Sequence, residues 1–242
     1  MSTQREQQRP CVHTARREQS RRLLVKVCGL RDGENIRQIA QLGVDWIGMI
    51  FWAKSPRNVT TVPTQAGISP GSGIPSPRRV GVFVDEMAQN IITRVVNFRL
   101  DLIQLHGHES PTLIRNLRST LDPAIRPGIK IIKAISVSSR DDIAAYRQYE
   151  DCVDYFLFDT KCQTVGGSGQ HFDWAVLADY DGVRPFLISG GIGPGDAPRL
   201  RHALATDGFP VERCVGIDLN SRFETEPGIK DINKLKQFLE QL

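Results

Sequence analysis

The sequence has no long apolar run, and none of its hydrophobic stretches approaches the roughly 20 residues needed to span a bilayer. Hydrophobic residues make up 40% of the 242 positions and charged residues 24%, which is ordinary for a globular domain in water. We therefore expect no membrane partner. A chain of this length can fold as one large α/β domain or as two small ones.

Cysteine is scarce, and its spacing excludes the structural roles it often has. No two cysteines are spaced as C-x-x-C, and their number is odd, so neither a disulfide framework nor a zinc site is indicated. The five cysteines are Cys11, Cys28, Cys152, Cys162 and Cys214. We expect free thiols in a reducing cytoplasm, and no metal.

Most of the chain also lacks an excess of charge of either sign. Residues 1–22 hold six arginines and two glutamates, a net charge of +4 that equals the formal charge of the whole chain. The remainder is neutral, which argues against a nucleic-acid partner. Residues 1–22 are polar and nearly free of aliphatic side chains, so they are predicted to be a disordered basic extension that the fold does not need. A transit peptide is the alternative, but the two glutamates and few serines weigh against it.

Eight short runs rich in Val, Ile and Phe alternate with longer segments of helical period, which indicates βαβ units and a parallel sheet. Most of these runs are apolar nearly throughout, as expected for strands covered on both faces. The predicted strands are Leu24–Cys28, Asp45–Phe51, Arg79–Val84, Asp101–Leu105, Ile129–Ile135, Val153–Asp159, Arg184–Ser189 and Cys214–Leu219. We predict an α/β fold with a single (β/α)8 barrel (TIM barrel) over residues 23–242.

Helical segments lie between most of the strands. The predicted helices are Asn35–Gln41, Met87–Phe98 with Asp85 as its cap, one opened by Ser110 and Pro111, Asp141–Tyr149 after Ser138 or Ser139, Asp173–Leu177, Pro194–Leu204 and Asp231–Leu239. Residues 61–78 are the exception, because three glycines and four prolines make a full helix there unfavourable. We expect a Pro/Gly-rich loop with at most one helical turn in place of the second barrel helix.

Two ionisable residues end predicted strands, where the side chains of such a barrel face its mouth. Cys28 ends strand one and is a candidate base or nucleophile; the alternative is a thiol that only fills the core. Asp159 ends strand six, where partly dry surroundings would raise its pKa and suit a general acid. Its alternative is a structural cap of the following loop. Lys26 shares a strand face with Cys28 and would need a carboxylate partner inside the barrel, where its charge could favour the thiolate.

Three more polar residues are candidates for substrate contacts. Arg57 follows strand two and could bind a substrate carboxylate through its planar fork, or it could be an ordinary surface arginine. Gln104 and His106 lie at the end of strand four. We interpret His106 as a hydrogen-bonding wall residue rather than a proton carrier.

The loops after strands seven and eight indicate a phosphate site. Barrel enzymes frequently hold phosphate there with backbone amides, helped by a helix N-terminus. Gly190 and Gly191 permit the close backbone approach this needs. Asp218 lies near the end of strand eight, and Asn220 and Ser221 follow it. Two glycines also serve any tight turn, which is the alternative. The prediction is a small phosphorylated substrate.

The motifs of common cofactor and hydrolase sites are missing. Without G-x-G-x-x-G a nicotinamide cofactor is disfavoured, and we expect no cofactor. The run Gly166-Gly167-Ser168-Gly169 does not match the nucleophile elbow G-x-S-x-G, and we interpret it as a flexible lid.

Taken in order, the motifs give the chain a close resemblance to the phosphoribosylanthranilate isomerase family of tryptophan biosynthesis, from about Val25 to the C-terminus. Each motif alone is weak, but their order and barrel spacing are specific. The motifs are Lys26-Val27-Cys28-Gly29, Ile50-Phe51, Lys54-Ser55-Pro56-Arg57, Val80-Gly81-Val82-Phe83-Val84, Gln104-Leu105-His106-Gly107, Phe158-Asp159-Thr160, Gly166-Gly167-Ser168-Gly169, Ser189-Gly190-Gly191 and Gly216-Ile217-Asp218.

The resemblance implies an Amadori rearrangement of N-(5-phosphoribosyl)anthranilate into 1-(2-carboxyphenylamino)-1-deoxyribulose 5-phosphate. By position, Asp159 would be the general acid and Cys28 the general base. Arg57 would hold the anthranilate carboxylate, and the loops after strands seven and eight would hold the phosphate. No metal or redox cofactor is implied, and the oligomeric state is open between monomer and homodimer.

The chain departs from the family pattern at two places near the expected site. Asn220-Ser221-Arg222 replaces the usual Ser-Ser-Gly, which leaves the phosphate contacts there open, and Asn58 replaces a common tyrosine. The nearest rival is a phosphosugar isomerase of the histidine pathway, which carries an aspartate where this chain has Cys28. A barrel that binds a phosphorylated ligand without catalysis is the alternative from another class.

Overall fold

The computed structural model describes residues 22–61, 76–160 and 173–242. The predicted basic extension over residues 1–22 lies outside this part of the chain except for its last residue. The Pro/Gly-rich loop predicted over 61–78 lies outside it over residues 62–75, and so does the predicted lid at Gly166–Gly169.

Eight parallel strands form a closed barrel in chain order. They are β1 (Leu24–Val27), β2 (Trp46–Ile50), β3 (Arg78–Phe83), β4 (Leu102–Leu105), β5 (Lys130–Val137), β6 (Tyr155–Thr160), β7 (Phe186–Ser189) and β8 (Cys214–Leu219). Parallel pairing of β1 with β8 closes the barrel and sets Lys26 opposite Asp218. The predicted (β/α)8 barrel is confirmed, and the predicted strand ends differ from the observed ones by no more than two residues.

Six α-helices and three 3-10 turns surround the strands in the described residues. The helices are α1 (Gly33–Gln41), α2 (Ala88–Phe98), α3 (Pro111–Leu121), α4 (Arg140–Ile143), α5 (Ala197–Leu204) and α6 (Ile232–Leu239). The 3-10 turns are Ala144–Gln148, Trp174–Asp179 and Ser221–Phe223. The predicted helices at 141–149 and 173–177 are therefore wholly or mostly of the tighter 3-10 type, which suits short segments.

The helix caps follow the sequence in most places. Ser110 accepts a hydrogen bond from the Leu113 amide at the start of α3, as predicted. Ser139 and Asp142 form a capping box at α4. The predicted cap of α2 is wrong, because Asp85 has a φ of 49° and its carboxylate accepts a hydrogen bond from the His108 amide. The carboxylate of Asp85 therefore binds the loop after β4 and does not cap α2.

A short antiparallel hairpin follows β8 and was not predicted. It consists of β9 (Glu224–Glu226) and β10 (Ile229–Lys230). Asp231 then caps α6 by accepting a hydrogen bond from the Lys234 amide. The segment is too short and too polar to show a strand pattern in the sequence.

Apolar side chains fill two layers. An outer layer between the sheet and the helices contains an aromatic cluster, in which Phe158 and Phe186 each pack edge-on against Tyr180 with ring centroids 5.3 Å and 5.2 Å apart. An inner layer inside the barrel includes Trp46 and Leu157. Buried polar side chains such as Gln104 and Asp218 lie toward the carboxyl ends of their strands. The apolar layers therefore form a rigid floor below the barrel mouth.

A buried ion pair fixes the loop after β4. The Lys133 ammonium donates to Glu109 Oε2 at 3.1 Å and to the Gly107 carbonyl at 2.7 Å. Glu109 in turn accepts hydrogen bonds from the backbone amides of Gly107 and Asp85. The side chains of Lys133 and Glu109 are 3% and 1% exposed. The loop that carries His106 is therefore held by a charge pair with almost no access to water.

Replacing Lys133 by Met should lower the free energy of unfolding by about 3–5 kcal/mol, because it leaves the Glu109 carboxylate buried without its cation. Urea denaturation followed by circular dichroism measures this. The double variant Lys133→Met/Glu109→Leu should recover part of the loss. As a control, Lys130→Met removes a half-exposed lysine and should cost no more than about 1 kcal/mol. If Lys133→Met and Lys130→Met lower the free energy of unfolding by equal amounts, burial is not what makes the Lys133–Glu109 pair important.

Candidate active site

A cavity of about 430 Å³ opens at the carboxyl ends of the barrel strands. Nine of the ten residues predicted to act at the site line it. They are Cys28, Gln104, His106, Asp159, Gly190, Gly191, Asp218, Asn220 and Ser221. The barrel brings them together because the carboxyl ends of parallel strands meet at one end. Arg57 is the exception and is described below.

Cys28 lies on the floor of the cavity at the end of β1. Its amide donates to the Leu219 carbonyl at 2.8 Å, and the residue is 3% exposed. Gly48 on β2 leaves the space for the thiol, since a Cβ there would lie 2.8 Å from Cys28 Sγ. Gly48 was not among the predicted site residues, although a glycine inside a strand is a known signal of close approach.

Directly below the thiol, Lys26 and Asp218 form an ion pair across the seam of the barrel. Lys26 Nζ donates to Asp218 Oδ2 at 2.8 Å, and the two side chains are 0% and 5% exposed. Asp218 is the carboxylate partner that the sequence required for Lys26. Its second oxygen, Oδ1, is buried and accepts no hydrogen bond from the described residues. The pair thus offers an open acceptor at the cavity wall.

Opposing effects act on the protonation of Cys28. Burial raises the pKa of the thiol, the Lys26 ammonium lowers it, and the Asp218 carboxylate raises it again. Burial lowers the pKa of Lys26, but Asp218 and Cys28 together raise it above its usual value, so Lys26 is charged at neutral pH. The expected help from Lys26 is present, yet burial outweighs it and the net pKa of Cys28 is raised.

Gln104, His106 and Asp159 form a row along the opposite wall. Gln104 Nε2 lies 3.0 Å from His106 Nδ1, and His106 Nε2 lies 3.2 Å from Asp159 Oδ2. When Asp159 is ionised, Gln104 donates to Nδ1 and His106 donates to the carboxylate. When Asp159 is protonated, a half-turn of the Gln104 amide lets its oxygen accept from Nδ1–H, and His106 Nε2 accepts the acid proton. His106 can thus form a hydrogen bond with Asp159 in either state, and its interpretation as a hydrogen-bonding wall residue stays a prediction.

The loop after β7 exposes its backbone to the cavity. Gly190 and Gly191 have φ angles of 90° and 65°, a region that glycine enters without steric cost. The buried carboxylate of Asp196 accepts a hydrogen bond from the Gly193 amide at 2.7 Å and fixes the loop. Arg222, after β8, also lines the cavity beside these glycines. In the sequence, Arg222 stood out only as a departure from the family pattern. Its position in the structure adds a cation to the predicted phosphate site.

Arg57 does not line the cavity. Its Nε and Nη2 donate to the two carboxylate oxygens of Glu224 at 2.8 Å and 2.6 Å. Although burial opposes it, the hydrogen bonds from Arg57 and Lys230 lower the pKa of Glu224 to about 2. Arg57 lies next to Gly29, because its Cδ is 2.7 Å from where a Gly29 Cβ would stand. No motif or spacing in the sequence indicates this partner of Arg57.

Within residues 22–61, 76–160 and 173–242, no three His, Cys, Asp or Glu side chains are grouped as a metal site requires. None of the helices in the same ranges has the length and apolar character needed to cross a membrane. Cys28, Cys152 and Cys214 are free thiols.

The sequence model of the N-(5′-phosphoribosyl)anthranilate (PRA) isomerase family matches residues 25–241. A curated relative of that name from Parabacteroides distasonis is 43% identical over 220 residues, covering 91% of this chain and 93% of its own. The crystal structure of phosphoribosyl anthranilate isomerase from Thermotoga maritima is 31% identical and has a TM-score of 0.73, covering 91% of this chain and 98% of its own. A structure of phosphoribosyl anthranilate isomerase in complex with reduced 1-(o-carboxyphenylamino)-1-deoxyribulose 5-phosphate is 29% identical, with a TM-score of 0.72 and coverages of 91% and 98%.

Two substitutions should move the pKa of Cys28 in opposite directions. Lys26→Met removes the cation that favours the thiolate and should raise this pKa, whereas Asp218→Asn removes the anion that disfavours it and should lower it. The rate of iodoacetamide alkylation, measured against pH by mass spectrometry of the Cys28 peptide, reports the change. If the pKa of Cys28 moves in the same direction in both variants, the opposing charge effects of Lys26 and Asp218 are contradicted. A general loosening of the site would give that result, since it would act equally in both variants.

Proposed function

Because the chain belongs to the N-(5′-phosphoribosyl)anthranilate isomerase family and is an isomerase of tryptophan biosynthesis, we propose that Asp159 and Cys28 are its catalytic acid and base. The reaction is the Amadori rearrangement of N-(5-phosphoribosyl)anthranilate to 1-(2-carboxyphenylamino)-1-deoxyribulose 5-phosphate. The observation that supports the two roles most is that a carboxyl group and a thiol from β6 and β1 open into one cavity with the glycine loop after β7.

In the first step, Asp159 gives its proton to the ring oxygen of the ribose. The bond between C1′ and that oxygen breaks, and the lone pair of the anthranilate nitrogen forms a C1′=N bond, so the open chain is a cationic Schiff base. Asp159 is left as a carboxylate 3.2 Å from His106 Nε2, which donates a hydrogen bond to it once the imidazole proton lies on Nε2 rather than on Nδ1. A charge-assisted hydrogen bond of this kind stabilises the developing charge.

In the second step, the Cys28 thiolate removes the proton from C2′. The electrons of that C–H bond form C1′=C2′, and those of the C=N bond return to nitrogen. The resulting enol becomes the ketone by losing its O2′ proton to the Asp159 carboxylate and gaining one at C1′ from the Cys28 thiol, which returns both groups to their starting states. A free thiol has a pKa of about 8.5, so the step needs the cationic environment that Lys26 supplies.

Substrate binding is proposed to use three sets of groups. The amides of Gly190 and Gly191, with Asn220, Ser221 and the cation of Arg222, would hold the phosphate, since helix-adjacent amides and arginine both favour phosphate oxygens. Asp218 Oδ1 and Gln104 Oε1 are buried acceptors without a protein donor in the described residues, and they suit the sugar hydroxyls. Arg57 would bind the anthranilate carboxylate.

The cytoplasmic location and the choice between monomer and homodimer stay predictions. The cytoplasmic location is supported by the free thiols of the described residues. Sedimentation equilibrium of the full chain measures the oligomeric state.

Cys28→Ser and Asp159→Asn should each lower kcat by at least about 10²-fold and leave KM little changed, because each removes one proton-transfer group without removing a binding contact. The loss of anthranilate fluorescence on conversion of freshly prepared phosphoribosylanthranilate gives both constants. Cys152→Ser, which alters a buried thiol outside the cavity, is the matched control and should keep kcat. Near-full kcat in Cys28→Ala would exclude the thiol as the base.

A further inference from the structure

The guanidinium of Arg57 is held on one edge by Glu224. Contacts through Nε and Nη2, at 2.8 Å and 2.6 Å, fix the plane of the group as well as its position. A guanidinium has five N–H donors, so this pairing leaves those of Nη1 and one of Nη2 on its outer edge. That outer edge can still bind a second carboxylate with two parallel hydrogen bonds. Glu224 therefore determines the direction in which the free edge of Arg57 points.

Glu224 is itself held by a buried lysine. Lys230 Nζ donates to Glu224 Oε1 at 2.6 Å and to Asn220 Oδ1 at 2.8 Å. The side chains of Glu224 and Lys230 are 6% and 0% exposed. Asn35 on α1 fixes the Lys230 backbone, accepting from its amide at 2.8 Å and donating to its carbonyl at 2.9 Å. The carboxylate that orients Arg57 thus has little freedom to move.

The charges of this cluster do not balance. Arg57 and Lys230 are cations, and Glu224 is the single carboxylate that contacts them among the described residues. With all three groups ionised the cluster carries one net positive charge, although burial lowers the pKa of Lys230. The side chains of Lys230 and Glu224 are almost closed to water, whereas that of Arg57 is 19% exposed. An anion of the ligand would balance the positive charge, and a planar carboxylate fits the free edge of Arg57 best.

The cluster also touches the loops that hold the rest of the site. Asn220, which Lys230 contacts, lines the cavity. Asn220 Oδ1 and Arg57 Cδ lie 2.6 Å and 2.7 Å from the point where a Gly29 Cβ would stand, so both flank the residue next to Cys28. Arg57 is therefore connected through Glu224 and Lys230 to Asn220 at the cavity wall.

We propose that Glu224 and Lys230 are positioning residues: Glu224 aims Arg57 at the carboxylate of the substrate, and Lys230 fixes Glu224 relative to the phosphate loop. The proposal rests on the proposed function, since it takes Arg57 as the group that binds the anthranilate carboxylate. Neither positioning residue contacts the substrate. Their effect is to make the enzyme discriminate ligands that carry the carboxylate from ligands that lack it.

Glu224→Asp tests this, because it keeps the charge but shortens the side chain by one methylene, so the two-point contact with Arg57 fails. The probes are reduced 1-(o-carboxyphenylamino)-1-deoxyribulose 5-phosphate and the same compound without its carboxyl group, with Kd measured by isothermal titration calorimetry. The Kd of the first should rise about tenfold, the effect of weakening one charge-assisted hydrogen bond. The Kd of the compound without its carboxyl group should change by less than about twofold.

The matched control is Glu226→Asp, the same substitution two residues along the hairpin at an exposed glutamate, which should change neither Kd. Glu224→Gln keeps the size of the side chain and should lose the same discrimination, so it serves if Glu224→Asp folds poorly. Equal weakening of both probes in a Glu224 variant would mean a general structural role and would overturn the proposal.

Arg57→Ala separates this proposal from the proposed function. Loss of discrimination in Arg57→Ala and in Glu224→Asp supports both. If discrimination is lost in Arg57→Ala but is complete in Glu224→Asp and Glu224→Gln, the positioning role is overturned and the function of Arg57 is left intact. Full discrimination in Arg57→Ala shows that another group binds the carboxylate, and both assignments fall.

Discussion

The site depends on the ion pair between Lys26 and Asp218, which joins the first and last strands of the barrel directly beneath Cys28. Burying two charges costs several kcal/mol per ion, and their attraction roughly offsets this. The pair is therefore a weak source of stability. Its consequence is that a cation and an anion have fixed positions next to the thiol, where one favours the thiolate and the other opposes it.

Buried charge pairs recur at the same end of the barrel, and each fixes a loop of the site. Lys133 and Glu109 hold the loop that carries His106. Glu224 holds Arg57 and connects it through Lys230 to Asn220. In contrast, the inner barrel below Lys26 is apolar. The chain thus separates the two tasks in space: apolar packing stabilises the barrel, and costly polar contacts set the geometry at its mouth.

The sequence predicted the barrel and most of the cavity for one physical reason. Strands covered on both faces must be apolar, so polar residues at their carboxyl ends stand out, as Cys28 and Asp159 do. The partner of Arg57 could not be found in this way. Glu224 is 167 positions away in a segment that looks like exposed loop, and only the closed barrel brings the two together. The prediction that Asp85 caps α2 was wrong for a similar reason, since its carboxylate accepts a hydrogen bond from the amide of His108, 23 residues away in the loop after β4.

The raised pKa of Cys28 fits the order of the proposed steps. In a buried site the thiol keeps its proton, and Lys26 alone does not reverse this. In the proposed first step, ring opening by Asp159 would create a cationic Schiff base in the same cavity, and a positive charge near a thiol favours its thiolate. The thiolate form of Cys28 is therefore favoured more strongly once the proposed acid step has placed this cation in the cavity. The Lys26 ammonium beneath Cys28 thus opposes only part of the effect of burial on the pKa of the thiol, and the cationic intermediate of the proposed reaction adds a second charge that favours the thiolate.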